Sequence, residues 1–352
     1  MKVGILTFHN AINIGAILQT YATYELVKSL GHEVEVIDYH NKAIDASYDK
    51  FRFRLNRIPR NPVYAMAYLL STFFFRKKEH RFHDFINKYL SLCPNQSGSQ
   101  ILKLDSYDIL LIGSDQLWNK KITKGIDPIY WGNFDSDKEL RIISWSVSMN
   151  DYDYSPGQLD IIKKYLANFE YLSVREEQTK FFLTPYTEKA IHVTLDPTLL
   201  LSAMIWKRFC KPERERKYVL TYAVTDTDET YACAKKIAKE RGLRLVVVRA
   251  YCGASISRNV KQTSGPIEFL SYINSADYVV TSSFHGTVFS ILFEKEFTCV
   301  IPEGHSNVRT ESLLNSLGLI NRIGNQSSVP IQSVIDYESV NRKLEQLKEE
   351  SL

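Results

Sequence analysis

Asp277-Tyr-Val-Val-Thr-Ser-Ser-Phe-His-Gly-Thr-Val-Phe-Ser-Ile-Leu-Phe293 joins three local patterns in one short span. Tyr278 to Thr281 is a short β-branched run and reads as a buried strand, whereas from Thr287 the apolar residues Val288, Ile291 and Leu292 recur at helical spacing. Ser282, Ser283, Phe284, His285 and Gly286 lie between them as a loop. In an open α/β sheet, a loop that leaves the carboxyl end of a strand and opens a helix is where anions bind. Free backbone N–H groups and the positive helix end converge there. His285 carries an imidazole able to give or take a proton near neutral pH. Gly286 removes the Cβ that would keep a ligand away from the backbone. A capped helix with a structural histidine accounts for the same residues.

The same alternation extends in both directions. Upstream, Val3 to Thr7 and Glu33 to Asp38 read as strands around a helix from about Gly15 to Leu30, with the tight loop Phe8-His-Asn-Ala-Ile-Asn-Ile-Gly-Ala16 between. A helical stretch follows from about Asn61 to Tyr89, then strands at Asp108 to Ile112, Ile142 to Val147, Tyr171 to Val174 and His192 to Leu195. Helices at Pro156 to Phe169 and Glu176 to Phe182 separate the later ones. After the charged run Lys211-Pro-Glu-Arg-Glu-Arg-Lys217, which reads as a linker, a second series begins: strands at 218–222, 244–248, 278–281 and 297–301, with helices at 228–241, 266–274 and 287–293. The pattern predicts an α/β protein of two Rossmann-like, doubly wound domains, residues 1–205 and 206–352, facing each other across a cleft. A charged helix at 337–350 closes the chain as a surface element. No GxGxxG follows the first strand, so a dinucleotide pocket is not expected.

Composition narrows the function classes. The 352 residues are 44% hydrophobic and 24% charged, ordinary for a globular chain but long for one core. The net charge of +4 is not gathered into a basic stripe, which argues against nucleic acid as a partner. Five scattered cysteines without a CxxC pair indicate neither a disulfide framework nor a zinc site, and fit a reducing cytoplasm. No metal or cofactor is expected. The N-terminus is already a strand, leaving no room for a signal peptide. Val63 to Phe75 is the longest apolar stretch and is too short to span a bilayer. The cations of Arg76-Lys-Lys-Glu-His-Arg81 follow it at once, and Arg52, Arg54, Arg57 and Arg60 precede it. Residues 63–81 therefore read either as an interfacial helix on an anionic membrane or as a buried helix with a solvated end.

Each polar cluster falls after a strand, where such sheets hold ligands. Asp115, in Gly113-Ser-Asp-Gln-Leu-Trp-Asn119, reads as a general base, a holder of a substrate hydroxyl, or a helix cap. Arg175 ends a strand, where its guanidinium can clamp a carboxylate or phosphate with two parallel hydrogen bonds or pair with Glu176 or Glu177. Arg309 is a further cation for a phosphate. Asp196 before Pro197 reads as a turn former. Asn10, Asn13 and Gly15 can present N–H groups to a phosphate or sugar.

The motifs Asn13-Ile-Gly-Ala-Ile-Leu-Gln19, Gly113-Ser-Asp-Gln-Leu-Trp-Asn119, Ser173-Val-Arg-Glu176, Leu195-Asp-Pro-Thr-Leu-Leu200, Ser282-Ser-Phe-His-Gly-Thr287 and Arg309-Thr-Glu-Ser-Leu-Leu-Asn-Ser-Leu-Gly-Leu319 occur in this order. In order and spacing the chain resembles the polysaccharide pyruvyltransferase family over nearly its whole length. The resemblance implies two Rossmann-like domains, as in B-type glycosyltransferases. It also implies transfer of pyruvate from phosphoenolpyruvate to two hydroxyls of a sugar in a cell-surface polysaccharide or its lipid-linked precursor. His285 matches the family's histidine before glycine, an acid or base, and Arg175 an arginine placed to bind the donor. Many members carry arginine two positions before that histidine, where this chain has Ser283, so donor contacts shift toward Arg175, Arg309 and backbone N–H groups.

On this reading His285 and Asp115 are catalytic. Arg175, Ser282, Ser283, Phe284, Gly286 and Arg309 bind the donor, with the C-terminal domain and its His285 loop forming the donor side. Asn10, Asn13, Gly15, Gln116 and Trp118 meet the glycan acceptor from the N-terminal side. The enzyme is expected to be cytoplasmic, with peripheral contact at the inner face of the membrane. A nucleotide-sugar glycosyltransferase or a non-catalytic glycan-binding protein on the same fold are the alternatives.

Overall fold

The computed structural model describes residues 1–93, 104–134, 140–211, 217–224, 227–301, 307–324 and 334–352. In chain order the first part comprises β1 (Lys2–Leu6), α1 (Ile14–Ser29), β2 (Glu33–Val36), α2 (Lys42–Asp49), α3 (Pro62–Tyr89), β3 (Ile109–Asp115), α4 (Lys120–Thr123), β4 (Arg141–Val147), α5 (Pro156–Leu166), β5 (Leu172–Val174), α6 (Glu177–Leu183) and β6 (Ile191–Val193). Two short helices follow, α7 (Pro197–Leu200) and α8 (Ala203–Lys207). The second series is β7 (Tyr218–Ala223), α9 (Thr227–Glu240), β8 (Arg244–Arg249), β9 (Val260–Lys261), α10 (Pro266–Ser275), β10 (Tyr278–Thr281), α11 (Phe284–Leu292), β11 (Phe297–Val300), α12 (Val308–Leu317), β12 (Ile323–Gly324) and α13 (Tyr337–Ser351).

The strands form two six-stranded sheets, ordered β2-β1-β3-β4-β5-β6 and β12-β11-β10-β7-β8-β9, and every pairing is parallel. Both are doubly wound α/β sheets. The strand order reverses between β1 and β3 in the first and between β7 and β10 in the second, which are the switch points where such sheets take ligands. Ile109-Leu-Leu-Ile112 shows why these strands read as continuous apolar runs. Ile109 and Leu111, with Val3 and Ile5, face one core, while Leu110 and Ile112, with Leu6, face another.

The core that holds Val3 and Ile5 also holds Tyr218, Leu220, Tyr222, Val246 and Val279 of the second sheet. The helices between the sheets make it continuous. Helix α1 is buried from Ile14 to Tyr24 and packs on α3, α7, α10 and α11, consistent with a helix apolar on all sides. Helix α3 starts at Pro62, with Asn61 accepting hydrogen bonds from the N–H groups of Val63 and Tyr64. Its C-terminal half buries Phe75, Phe82, Phe85 and Ile86 in the shared core. Lys78 lies within this half, and its Nζ donates to the carbonyls of Arg249 and Ala250 at 2.8 and 2.6 Å, tying the first part of the chain to the second. Burial pushes its pKa down to about 8.

The expected elements are present, with ends displaced by a few residues: α11 begins at Phe284 rather than Thr287, and β3 runs on to Asp115. Helices α2, α4, α7, α8 and α12 and the two-residue strands β9 and β12 were not among the elements expected from the sequence. Of the expected linker 211–217, residues 212–216 lie outside the described residues. Among the described residues no helix is long and apolar enough to cross a membrane.

Candidate active site

The carboxyl ends of the two sheets bring their loops together. Ser283 caps α11 by accepting from the Gly286 N–H at 3.4 Å, and its own N–H donates to Thr281 Oγ1, so the turn between β10 and α11 is fixed at both ends. This places His285 in the first turn, 7% exposed. Gly286 serves packing: a Cβ there would lie 2.2 Å from Thr281 Oγ1, so only glycine lets the helix approach its strand. Gly15, in the loop after β1, is equally constrained, since a Cβ would lie 2.1 Å from His285 Nδ1. The first turn of α1 and the first turn of α11 therefore meet face to face.

Asp196 sits at the centre. Its Oδ1 caps α7, accepting from Thr198 N at 2.9 Å and Thr198 Oγ1 at 2.5 Å. Its Oδ2 lies 2.8 Å from Arg175 Nη2 and 3.5 Å from His285 Nε2, with the carboxylate fully buried. Burial alone pushes this carboxyl up, but the Arg175 guanidinium, then His285 and the Thr198 hydroxyl, hold it well below its ordinary value. Arg175 Nη2 also donates to Ser114 Oγ at the end of β3. Ser114 is itself held, its N–H donating to Gln19 Oε1 and its hydroxyl to the Ser146 carbonyl.

Beside this pair, two guanidiniums lie over the Phe284 ring, Arg175 Cζ at 5.3 Å and Arg309 Cζ at 5.4 Å from its centroid. Burial and then the charge of Arg175 lower the pKa of Arg309, with Glu176, Asp115 and Asp196 opposing them. Among the described residues, Arg175 Nε and Nη1, Arg309 Nε and His285 Nε2 have no hydrogen-bond partner. Buried donors normally find one. Such a cluster of cationic donors next to a histidine has the chemistry to receive an anion and to move a proton beside it.

A family model for polysaccharide pyruvyl transferases matches residues 13–304, a span that contains every residue of this constellation except Arg309. The chain belongs to that family. No significant match to a curated protein is found. Several solved structures are similar to this family member over nearly its full length. The UDP-GlcNAc 2-epimerase of Methanocaldococcus jannaschii has 9% identity and a TM-score of 0.47, covering 98% of this chain and 92% of its own. That of Neisseria meningitidis, bound to UDP-GlcNAc, has 12% identity and a TM-score of 0.46, covering 99% and 92%. The glycosyltransferase SnogD of Streptomyces nogalater has 12% identity and a TM-score of 0.41, covering 100% and 95%.

In this pyruvyl transferase family member, the structure brings together His285, Arg175, Phe284, Arg309 and the Ser282–Ser283 turn. Asp115 borders them, buried and at φ 88°, with Oδ1 accepting from Gln116 N–H at 2.8 Å and its carbonyl from Ser148 N–H. The residues expected on the acceptor side are largely engaged within the chain. Asn13 Oδ1 caps α1 by accepting from Gly15 and Ala16 N–H groups, and Asn10 Nδ2 donates to Asp45. Gln116 Oε1 accepts from Asn119. Trp118 needs correcting as an acceptor contact: it is 1% exposed, stacked on Trp131 at 4.4 Å, and donates to the Tyr130 carbonyl, so its ring is spent on the core. From sequence Asp196 was read only as a turn former and Glu176 only as a partner for Arg175, whose ion pair is instead with Asp196, and Ser114 was not singled out. The signal for Asp196 was its place after a strand's carboxyl end, the same position that marked Arg175 and His285.

Proposed function

We propose that the protein is a ketal pyruvyltransferase that moves pyruvate from phosphoenolpyruvate onto two hydroxyls of a sugar in a cell-surface polysaccharide or its lipid-linked precursor. The observation that carries this reading is the set of unpartnered guanidinium donors on Arg175 and Arg309 beside His285 and the buried carboxylate that faces it. Phosphoenolpyruvate carries its carboxylate and its phosphate ester on one carbon, which two guanidiniums beside one ring suit. An acid, assigned to His285, protonates the donor's methylene carbon to a methyl. One sugar hydroxyl attacks the cationic central carbon, and the second displaces phosphate. Of the two hydroxyl protons released, one restores the acid and one leaves with phosphate. The guanidiniums stabilise the departing anion, and Asp196 orients His285 and balances its charge when protonated. Asp115 is assigned as the base near the acceptor hydroxyls, with Asn10, Asn13, Gly15 and Gln116 shaping the loops on that side.

The glycosyltransferase reading has one observation in its favour, a cavity of about 600 Å³ at the carboxyl ends of β7 and β8, lined by Thr221, Ala223, Arg249, Tyr251 and Tyr231, a size that takes a drug-sized ligand. Thermal melting separates the two. Phosphoenolpyruvate raises the melting temperature under the first reading and a UDP-sugar under the second. Phosphate release from phosphoenolpyruvate across a panel of lipid-linked glycans then tests the transfer itself.

Peripheral contact with an anionic lipid surface forms part of the proposal. The N-terminal half of α3 exposes Val63, Tyr64, Met66 and Phe73, and the preceding segment exposes Phe53, Leu55 and Ile58. Arg60, Arg76 and Lys77 are exposed beside them. Not every cation of 76–81 is available: Lys78 is buried, and Arg81 donates to the Thr263 carbonyl at 2.9 Å.

A further inference from the structure

The loops after β1 and β2 bring His9, Asp38 and His40 together, away from the Arg175–Asp196–His285 constellation. His9 Nε2 lies 2.9 Å and His40 Nε2 3.0 Å from the same oxygen, Asp38 Oδ1. His9 is 2% exposed, and its other nitrogen, Nδ1, is 3.4 Å from the Thr7 carbonyl. Both nitrogens of this buried ring thus face acceptors. A neutral imidazole has one N–H and one lone pair, so it satisfies only one of them. With Nδ1 protonated toward the Thr7 carbonyl, the Nε2 lone pair points at the Asp38 carboxylate, and with Nε2 protonated the Nδ1 lone pair points at that carbonyl, so one acceptor stays unmatched unless a second proton or a cation is supplied. At His40, Nε2 faces Asp38, while Nδ1 lies 3.0 Å from Asp45 Oδ2 and 2.9 Å from Asn10 Nδ2, which also donates to Asp45 Oδ1 at 3.1 Å.

We infer that His9, Asp38 and His40 form a binding site for one divalent cation of the zinc class. A cation on Asp38 Oδ1 and the two Nε2 atoms removes the conflict at His9 and gives the Nε2 of His40, aimed at the same oxygen, the same partner. The outer contacts are those that metal-bound histidines make: Nδ1–H of His9 to a backbone carbonyl, and Nδ1–H of His40 to the Asp45 carboxylate. Two imidazoles and a carboxylate suit zinc and its neighbours rather than calcium or magnesium. The three ligand atoms lie within 4.8 Å of one another. On a common ion they are roughly 3 to 4 Å apart, given metal–nitrogen lengths of about 2.0–2.1 Å, so the rings close in by less than about 1 Å. The His40 side chain is 32% exposed, which leaves the outward side of the ion open to water or an incoming oxygen. Lying at the carboxyl ends of β1 and β2, the ion joins two loops of the N-terminal sheet, one of which leads directly into the Gly15–His285 contact.

The test uses the tag-free full chain after chelator treatment, titrated with Zn²⁺ by calorimetry and with Co²⁺ by visible absorption. One equivalent is expected to bind, with the intense d–d bands of a low-coordinate Co²⁺ site. His40→Ala and Asp38→Asn weaken binding at least about 10-fold, and Asp45→Asn, which leaves every ligand in place, weakens it about 10- to 100-fold. Circular dichroism of each metal-free variant confirms folding, and the partly exposed His40 is the variant of choice because the buried His9 also packs. Absence of Zn²⁺ and Co²⁺ uptake by the wild-type chain overturns the inference. So does equal affinity in the His40→Ala, Asp38→Asn double variant, which would place the metal elsewhere.

Discussion

Gly15 and His285 occupy opposite walls of the crevice and touch: a single added methyl at residue 15 would sit 2.1 Å from the imidazole Nδ1. Gly15→Ala is therefore a displacement of His285 without any change to it. Misplacing a reacting group by about 1 Å costs on the order of 100-fold in rate. Phosphate release from phosphoenolpyruvate should fall by about that factor with the circular dichroism spectrum unchanged. Wild-type turnover in this variant would mean that the ring position does not matter.

His285→Ala removes the assigned acid altogether. The expected loss is ~100- to 10,000-fold in phosphate release, the usual contribution of general acid–base catalysis. Near-normal release by a folded variant would sink the assignment.

Arg175→Lys keeps the charge and loses the fork. Nη2 of Arg175 reaches both Asp196 and Ser114, leaving Nε and Nη1 for a ligand, and a point ammonium cannot do all of this at once. Calorimetry should show weaker phosphoenolpyruvate binding and steady-state kinetics a higher KM. Unchanged affinity would confine Arg175 to holding Asp196.

Asp196→Asn should act on stability in a pH-dependent way. The folded carboxyl titrates below its ordinary 3.8, so the contribution of its charge is complete above that value and is lost as pH falls through the folded pKa. At neutral pH, removing one partner of a fully buried ion pair costs about 3–5 kcal/mol. The gap between wild type and variant in urea midpoints should be constant above about pH 5 and narrow below pH 4. A gap independent of pH down to 2 would show that the charge is not what Asp196 supplies.

Vesicle co-sedimentation checks the lipid contact. Wild-type protein should pellet with anionic vesicles at moderate salt, and a variant carrying Val63→Ser, Met66→Ser, Phe73→Ser, Arg76→Gln and Lys77→Gln should stay in solution. Surface cations near such a bilayer contribute on the order of 1 kcal/mol each. Lys78 is left intact because its ammonium holds the Arg249 and Ala250 carbonyls. Equal pelleting of both proteins would remove the membrane from the account.

Strong periodicity explains which parts of this architecture were readable. Tyr278–Thr281 and Phe297–Val300 are parallel strands buried on both faces, so their composition alone announces them. Helix α12 buries Thr310, Leu313, Leu314 and Leu317 at helical spacing, so its period was present inside a motif read only as a cation site, whereas β9 and β12 are too short to have a period. In the site, residues that follow strands in polar loops were visible as His285, Arg175 and Asp115. Asp196 was not, because a cap and a charge centre look alike in sequence: one oxygen serves the helix and the other serves Arg175. Trp118 misled for the opposite reason, an aromatic in a polar motif that is consumed by stacking. Which pairs meet across the crevice depends on how one sheet sits on the other, and no local pattern encodes that.

The core that runs unbroken from β1 to β10 bears on substrate selection. Enzymes assembled from two lightly joined lobes admit a ligand by swinging apart and recognise it by swinging shut. Here the lobes share one close-packed interior, bolted further by Lys78, and such interiors deform little. Under the proposed function, discrimination among acceptors falls to the fixed outline of the crevice and to its rim loops, so exchanging acceptors calls for new side chains on those loops rather than a new hinge.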